Sequence, residues 1–338
     1  MRTVRDIPNL QNVPVLVRAA LNVPIADEEV ASDYRLRRAL ASVRYLTERG
    51  AKVILAGHLT GQGTETLAPV ARALEELLPR VAFCPEPVGK SAREAARALL
   101  PGSVLVLENL RRDTREQAND PSFAQELAAL ADVFVQDSFD TCHRRHASIV
   151  GVPTLLPSYA GLLLEEEVRE LSRALAPKKP ALAIIGGAKF QTKEPVIRKF
   201  VETYDAVYVG GALANDFLKA AGFEVGKSLV SGISPEEFKE LVAHKSLSLP
   251  VDVIAKSSVD DSARTTPVSE VRPDEIIVDI GPETVALLAE RAAKAKMILW
   301  NGPFGNYENG FVDATQAIAR TVARAGESQV GETGDPAR

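Results

Sequence analysis

Two lysines four residues apart follow a pair of glycines in ALAIIGGAKFQTKEPV, residues 181 to 196, and this arrangement suits the holding of an anion. Ala181 to Ile185 form an uninterrupted apolar run, the pattern of a strand buried on both faces. Gly186 and Gly187 lack a Cβ, so the backbone there can turn and approach another group closely. If a helix starts at this point, Lys189 and Lys193 lie on one face of its first turn. They would add to the positive end and unpaired N–H groups that a helix N-terminus already offers. Phosphate is the obvious anion. The alternative is a solvated turn with two ordinary lysines, and the spacing GxxxxGK[ST] of a Walker A loop is absent.

A second set of cations lies in SDYRLRRAL (32 to 40), LENLRR (107 to 112) and TCHRRHAS (141 to 148). Arginine grips carboxylate and phosphate in a bidentate fork, so several around one place describe a site for a small, multiply charged acid. Arg35, Arg111 and Arg144 are the candidates, while Arg37 and Arg38 read as a solvated helix face. Cys142 beside His143 could form a nucleophilic pair, but the surrounding arginines favour anion binding.

These residues need a scaffold. Short apolar runs alternate with amphipathic stretches along the whole chain, which predicts an α/β fold with two doubly wound parallel-sheet, Rossmann-like domains facing across a cleft. Strands are expected near 14 to 21, 51 to 58, 80 to 85, 104 to 109 and 132 to 138, and again near 181 to 187, 205 to 211, 249 to 255, 275 to 281 and 297 to 303. Between the series, residues 159 to 176 read as a long connecting helix, followed by the breaker PKKP. The expected divisions are a first domain over 1 to 158, a helix and hinge over 159 to 178, and a second domain over 179 to 338. Ligands in such sheets sit beyond the carboxyl ends of the strands. Asn22, His58, Asn109 with Arg111, and Asp137 fall there in the first half. Gly186 to Lys189, Gly210, Gly211, Asp279 to Pro282 and Asn301 to Pro303 do so in the second.

Composition is that of an ordinary soluble enzyme, with 46% apolar and 25% charged residues. A net charge of −5 argues against nucleic acid and acidic membrane surfaces, so attraction for phosphate must be local. The two cysteines have no metal-ligand spacing, no metal site is expected, and free thiols suit a reducing cytoplasm. No apolar leader and no segment of membrane-span length is evident.

Taken in order, the motifs resemble those of the phosphoglycerate kinases. VLVRAALNVP, GHL, LENLR and HRRHAS are followed by GGAKFQTK, VGGALANDFLKA, GKSLV, LPVDV, DIGPET and WNGPFGNYE, over residues 13 to about 330. The resemblance implies a first domain for 3-phosphoglycerate, bound by Asn22, His58, Arg111 and Arg144, with Arg35 as the catalytic arginine. It implies a second domain for ATP or ADP with Mg2+. There Lys189 would hold the transferring phosphoryl group, Lys193 the nucleotide phosphates, Gly210 and Gly211 the adenine, and Glu308 the ribose, with Asn301 near the phosphates. Implied too are small-molecule substrates only, a monomer, domain closure about the hinge, and a place in glycolysis.

Three departures from the pattern stand out. Ala20 replaces an aspartate that could bond the substrate hydroxyl. In HLTGQG, Gly61 replaces an arginine, for which Arg112 or Arg145 could compensate. The family continues to a glycine run with an aspartate that helps place the metal, whereas here the sequence reads ETGDPAR, with Asp335 the only counterpart. A naturally short enzyme and a chain interrupted as that motif begins both fit. An active kinase is the first reading, and a kinase-derived protein that binds nucleotide or phosphoglycerate without turnover is the alternative. Retention of Lys189, Lys193, Arg35 and Glu308 favours the first. An unrelated α/β protein such as a dehydrogenase lacks support, because no GxGxxG follows the first strand.

Overall fold

Strands covered by helices on both faces must send apolar side chains alternately to each side. The first unit obeys this closely. The structure, a computed structural model, describes residues 1–61 and 64–326. Two compact units, Met1–Arg169 and Glu170–Arg338, divide the chain.

Unit one contains β1 (Pro14–Ala19), a small hairpin of β2 (Ile25–Ala26) and β3 (Glu29–Val30), then β4 (Lys52–Ala56), β5 (Val81–Cys84), β6 (Val104–Leu107), β7 (Val133–Asp137) and β8 (Ser158–Ala160). Its helices are α1 (Tyr34–Thr47), α2 (Ala68–Leu77), α3 (Lys90–Ala98), α4 (Thr114–Gln117) and α5 (Pro121–Ala128), and α6 (Leu162–Leu175) follows β8. Six strands form one parallel sheet in the order β5-β6-β4-β1-β7-β8. Val15 and Val17 of β1 pack with Leu36, Leu40 and Val43 of α1 and Val70 of α2. Their neighbour Leu16 faces the other way, into a cluster with Ala92 of α3 and Phe123 and Leu127 of α5. Each such buried aliphatic side chain stabilises the fold by about 1.5–3 kcal/mol.

Unit two contains β9 (Ala181–Ile185), β10 (Ala206–Val209), β11 (Leu247–Ser248), β12 (Asp252–Ser257), β13 (Ala263–Pro267), β14 (Glu275–Ile280) and β15 (Met297–Asn301). Its helices are α7 (Phe190–Thr203), α8 (Leu213–Ala220), α9 (Glu236–Val242), α10 (Pro282–Lys294) and α11 (Asp313–Gly326). A parallel sheet runs β11-β10-β9-β15. Ala183 and Ile185 face α7, α8 and α9, where Phe190, Phe217 and Phe238 meet. Leu182 and Ile184 face α10 and α11.

The α/β architecture with parallel sheets is as expected, and the differences are local. The runs at 249 to 255 and 275 to 281 are not in the parallel sheet: β12 pairs antiparallel with β13 on one side and β14 on the other in a separate sheet. The short β11 takes the edge of the parallel sheet instead. An apolar run looks the same in either sheet, and ARTTP of β13 is too polar and exposed to advertise a strand. The predicted helix at 159 to 176 begins three residues late, because Ser158, Tyr159 and Ala160 pair with β7 as an edge strand. Asp335 lies outside the described residues.

Two buried carboxylates fix helix starts to strands. Asp252 accepts bonds from Thr284 N (2.7 Å), Thr284 Oγ1 (2.6 Å) and Glu283 N (3.0 Å) at the head of α10. Asp137, at the end of β7, accepts from Leu163 N at 3.0 Å and Leu164 N at 3.1 Å at the head of α6. Gly161 leaves room for it, since a Cβ there would lie 2.0 Å from Asp137 Oδ1. Burial nevertheless dominates and raises the Asp137 carboxyl to about 7, despite the two N–H bonds that pull it down. Between pH 4 and 7 the folded chain then keeps a proton that the unfolded chain has released, so this group's contribution to stability declines as pH rises. Asp137→Asn removes that decline while keeping an acceptor oxygen. Urea unfolding at pH 5 and pH 8 should show the variant gaining on the parent by roughly 2 kcal/mol between the two. A gap that stays flat or narrows would contradict the assignment.

Candidate active site

Arg18 is the unexpected centre of the first unit's site. It stands in β1, the strand between β4 and β7, and is 1% exposed. A guanidinium cannot shed its charge in such a place and must find acceptors. Arg18 Nη1 donates to Ala19 O at 3.0 Å, Nε lies 3.2 Å from Ser148 Oγ, and Nη2 lies 2.9 Å from His58 Nδ1. Burial lowers the Arg18 pKa to about 10, which leaves it charged at neutral pH. His58, also buried, is pushed down to about 2, first by burial and then by Arg18, Arg111 and Arg144. The ring is therefore neutral. Its Nδ1 accepts from Arg18, so the ring proton sits on Nε2.

Loop positions are set by side chains at the strand ends. Asn109, fully buried after β6, accepts from Leu59 N at 3.3 Å and Arg111 N at 3.1 Å and donates to Glu65 O at 2.9 Å. This ties the loop bearing His58 to the turn bearing Arg111. Asn22 Oδ1 accepts from Thr60 N at 2.8 Å, so the loops after β1 and β4 are joined too. Arg111 Nε and Arg144 Nε are buried and have no hydrogen-bond partner among the described residues. Buried guanidinium donors without acceptors are costly, and an anion would satisfy them. Arg35 differs: its side chain is 54% exposed and, among the described residues, is tethered by Asn22 O at 3.4 Å and Asp140 at 3.9 Å.

Sequence reasoning named Asn22, His58, Arg111, Arg144 and Arg35 and missed Arg18, although an arginine inside an otherwise apolar buried strand is itself a signal. Arg112 is not free to replace the arginine missing at Gly61. It pairs with the buried Glu108 at 2.8 Å, and Arg145 is exposed. Cys142 is exposed, with Sγ 3.4 Å from Gln136 Nε2.

In the second unit three strand ends converge as bare backbone. Gly186 N donates to Asn301 O at 2.7 Å, Gly187 N to Pro303 O at 2.9 Å, and Leu213 N to Gly187 O at 2.8 Å. A Cβ on Gly211 would lie 2.6 Å from Gly187 N, and Gly187, Gly211 and Gly302 all have positive φ. Only glycine allows this approach. Gly210 instead faces the ring of Phe304, which stacks on Trp300. Lys189 is the exposed N-cap of α7, and no side chain caps that helix. Lys193 turns its ammonium back onto Gly186 O, and burial lowers its pKa. The N-terminus of α7 thus meets two lysines and no carboxylate, unlike those of α6 and α10. Asn301 uses its backbone on Gly186, with an exposed side chain, and Glu308 is exposed in the turn Tyr307–Asn309. Among the described residues no three His, Cys, Asp or Glu side chains are grouped to hold a metal, and no helix is long and apolar enough to cross a membrane.

A family model described as phosphoglycerate kinase matches residues 4–337. The chain belongs to the phosphoglycerate kinase family. The phosphoglycerate kinase of Roseiflexus castenholzii is 43% identical over 339 residues, covering 95% of this chain and 86% of its own. That of Thermomicrobium roseum is 43% identical, covering 96% and 86%. Among solved structures, phosphoglycerate kinase from Pyrococcus horikoshii OT3 superposes with a TM-score of 0.84 at 30% identity, covering 96% of this chain and 86% of that one. The Coxiella burnetii phosphoglycerate kinase gives 0.77 at 37%, covering 95% and 85%. Within this family member, removing the charge next to His58 should be visible directly. Arg18→Met is expected to move the His58 pKa up toward the ordinary histidine range, measured by NMR titration of the ring between pH 4 and 8. An unchanged, untitrating ring would show that Arg18 does not govern it.

Proposed function

We propose that this chain catalyses reversible phosphoryl transfer between ATP, as its magnesium complex, and the carboxylate of 3-phosphoglycerate, giving 1,3-bisphosphoglycerate and ADP. Membership of the family supports the reaction, and glycolysis runs it toward ATP. A carboxylate oxygen forms a bond to the γ-phosphorus while the bond from that phosphorus to the β–γ bridging oxygen breaks. No proton need move at the reacting atoms, so alignment and charge compensation carry most of the catalysis.

The single observation that favours an acid substrate on the first unit is the pair of buried Nε–H groups of Arg111 and Arg144, beside Arg18, that have no partner among the described residues. In this reading Arg111, Arg144, Arg18, His58 through its Nε2–H, and Asn22 bind 3-phosphoglycerate. Arg35, exposed and weakly tethered, supplies charge to the transferring group. On the second unit Lys189 at the uncapped head of α7 holds the transferring phosphoryl group, and Lys193 and Asn301 serve the nucleotide phosphates. Gly210 and Gly211 line the adenine site and Glu308 takes the ribose. In this reading the magnesium is carried on the nucleotide phosphates. The acid and nucleotide roles divide between residues 1–158 and 179–338, with closure about 159–178. The family resemblance supports a monomer, and two free thiols suit the cytoplasm.

A coupled assay of ATP-dependent 3-phosphoglycerate phosphorylation tests this. Lys189→Ala should lower kcat by about 100-fold or more while nucleotide affinity changes little. Turnover that survives the substitution would remove Lys189 from its role. Nucleotide binding without turnover in the unaltered chain would favour a binding protein.

A further inference from the structure

Glu116 is 1% exposed in α4, and among the described residues its hydrogen bonds go to Ser148 and none goes to Arg18, Arg111, Arg144, His58 or Asn22. Its two oxygens are both used by one residue: Oε1 accepts from Ser148 Oγ at 2.5 Å and Oε2 from Ser148 N at 2.9 Å. An ionised carboxylate donates nothing, so the single hydroxyl proton of Ser148 points at Glu116. That leaves the Ser148 lone pairs for Arg18 Nε, 3.2 Å away. Arg18 in turn donates to His58 Nδ1 at 2.9 Å.

We infer that Glu116 is a positioning residue for the acid substrate, acting through Ser148 to fix the plane of Arg18 and, through Arg18, the tautomer of His58. Each link determines the next. The carboxylate sets the hydroxyl, the hydroxyl accepts from Nε, and Nη2 of the same guanidinium leaves His58 a single direction in which to present its remaining N–H. Arg18 and Arg111 both feel the Glu116 charge, with Asp140 acting on the same two arginines, and His146, Nδ1 3.9 Å from Oε1, is pushed toward its neutral form by burial. A carboxylate among so many cations would, by charge alone, oppose an acidic ligand. Its retention in a site for anions is explained if orientation outweighs that repulsion.

The inference rests on the acid-site reading given above, and two measurements separate their fates. Steady-state kinetics of Glu116→Gln, Ser148→Ala and the double variant should show KM for 3-phosphoglycerate raised about tenfold in each single variant, and no further in the double, with KM for ATP unchanged. Nitrogen-15 NMR of His58, which needs no turnover, should show the Nε2–H form in the parent and a mixture of tautomers in both single variants. A lower KM in Glu116→Gln would mean that the carboxylate acts only as an opposing charge and would overturn the proposal. Equal losses in kcat and both KM values alongside a lowered Tm would assign Glu116 to folding and overturn it too. An inactive parent whose His58 tautomer still responds to Ser148→Ala would sink the substrate reading and leave the relay standing.

Discussion

Buried positive potential with too few protein anions to answer it is the constraint on which both sites depend. Parallel strands bring helix N-termini to one end of each sheet, and each such end attracts negative charge. The protein answers some of these ends itself. Asp252 serves α10, and Asp137, whose carboxyl burial raises to about 7, serves α6 by accepting from the first helical N–H groups. It leaves α7 unanswered and adds Lys189 and Lys193 beside it. In the first unit Arg18, Arg111 and Arg144 outnumber the buried Glu116. Sites in this fold are the places where compensation has been withheld.

Rigidity comes from different means in the two units. Side-chain bonds from Asn22 and Asn109 lock one loop to the next in the first unit, where the ligand is met by side chains. In the second, Gly186, Gly187, Gly211 and Gly302 bring backbone against backbone. No side chain intervenes there, so the floor of that site has little freedom to relax.

Much of this was legible in sequence because burial on both faces leaves a plain mark: VLV, VILA, VLVL, VFV and ALAII all proved to be strands of parallel sheets. Arg111 and His58 stood out as candidates because polar residues just beyond such runs have few other reasons to be there, and Arg144 because it lies in a run of cations. Arg18 was not, because a residue within a strand motif is easily taken as part of the strand. Glu116 was illegible for a different reason. Its partner Ser148 is 32 residues away, and nothing in TREQ points to HRRHAS. The antiparallel β12–β14 sheet was misread because periodicity reports burial and not the direction of a neighbour.

The tautomer of His58 has a consequence for how the enzyme responds to acidification. A ring held neutral by burial and a cationic neighbour does not gain charge when the surroundings drop from pH 8 to pH 5. The arginines beside it do not lose theirs. Over that interval Arg18 and His58 keep their charge states, whereas a phosphate monoester has its second ionisation near 6. Arg18 and His58 thus form a fixed electrical reference against which the ionisation of a phosphate monoester can be read.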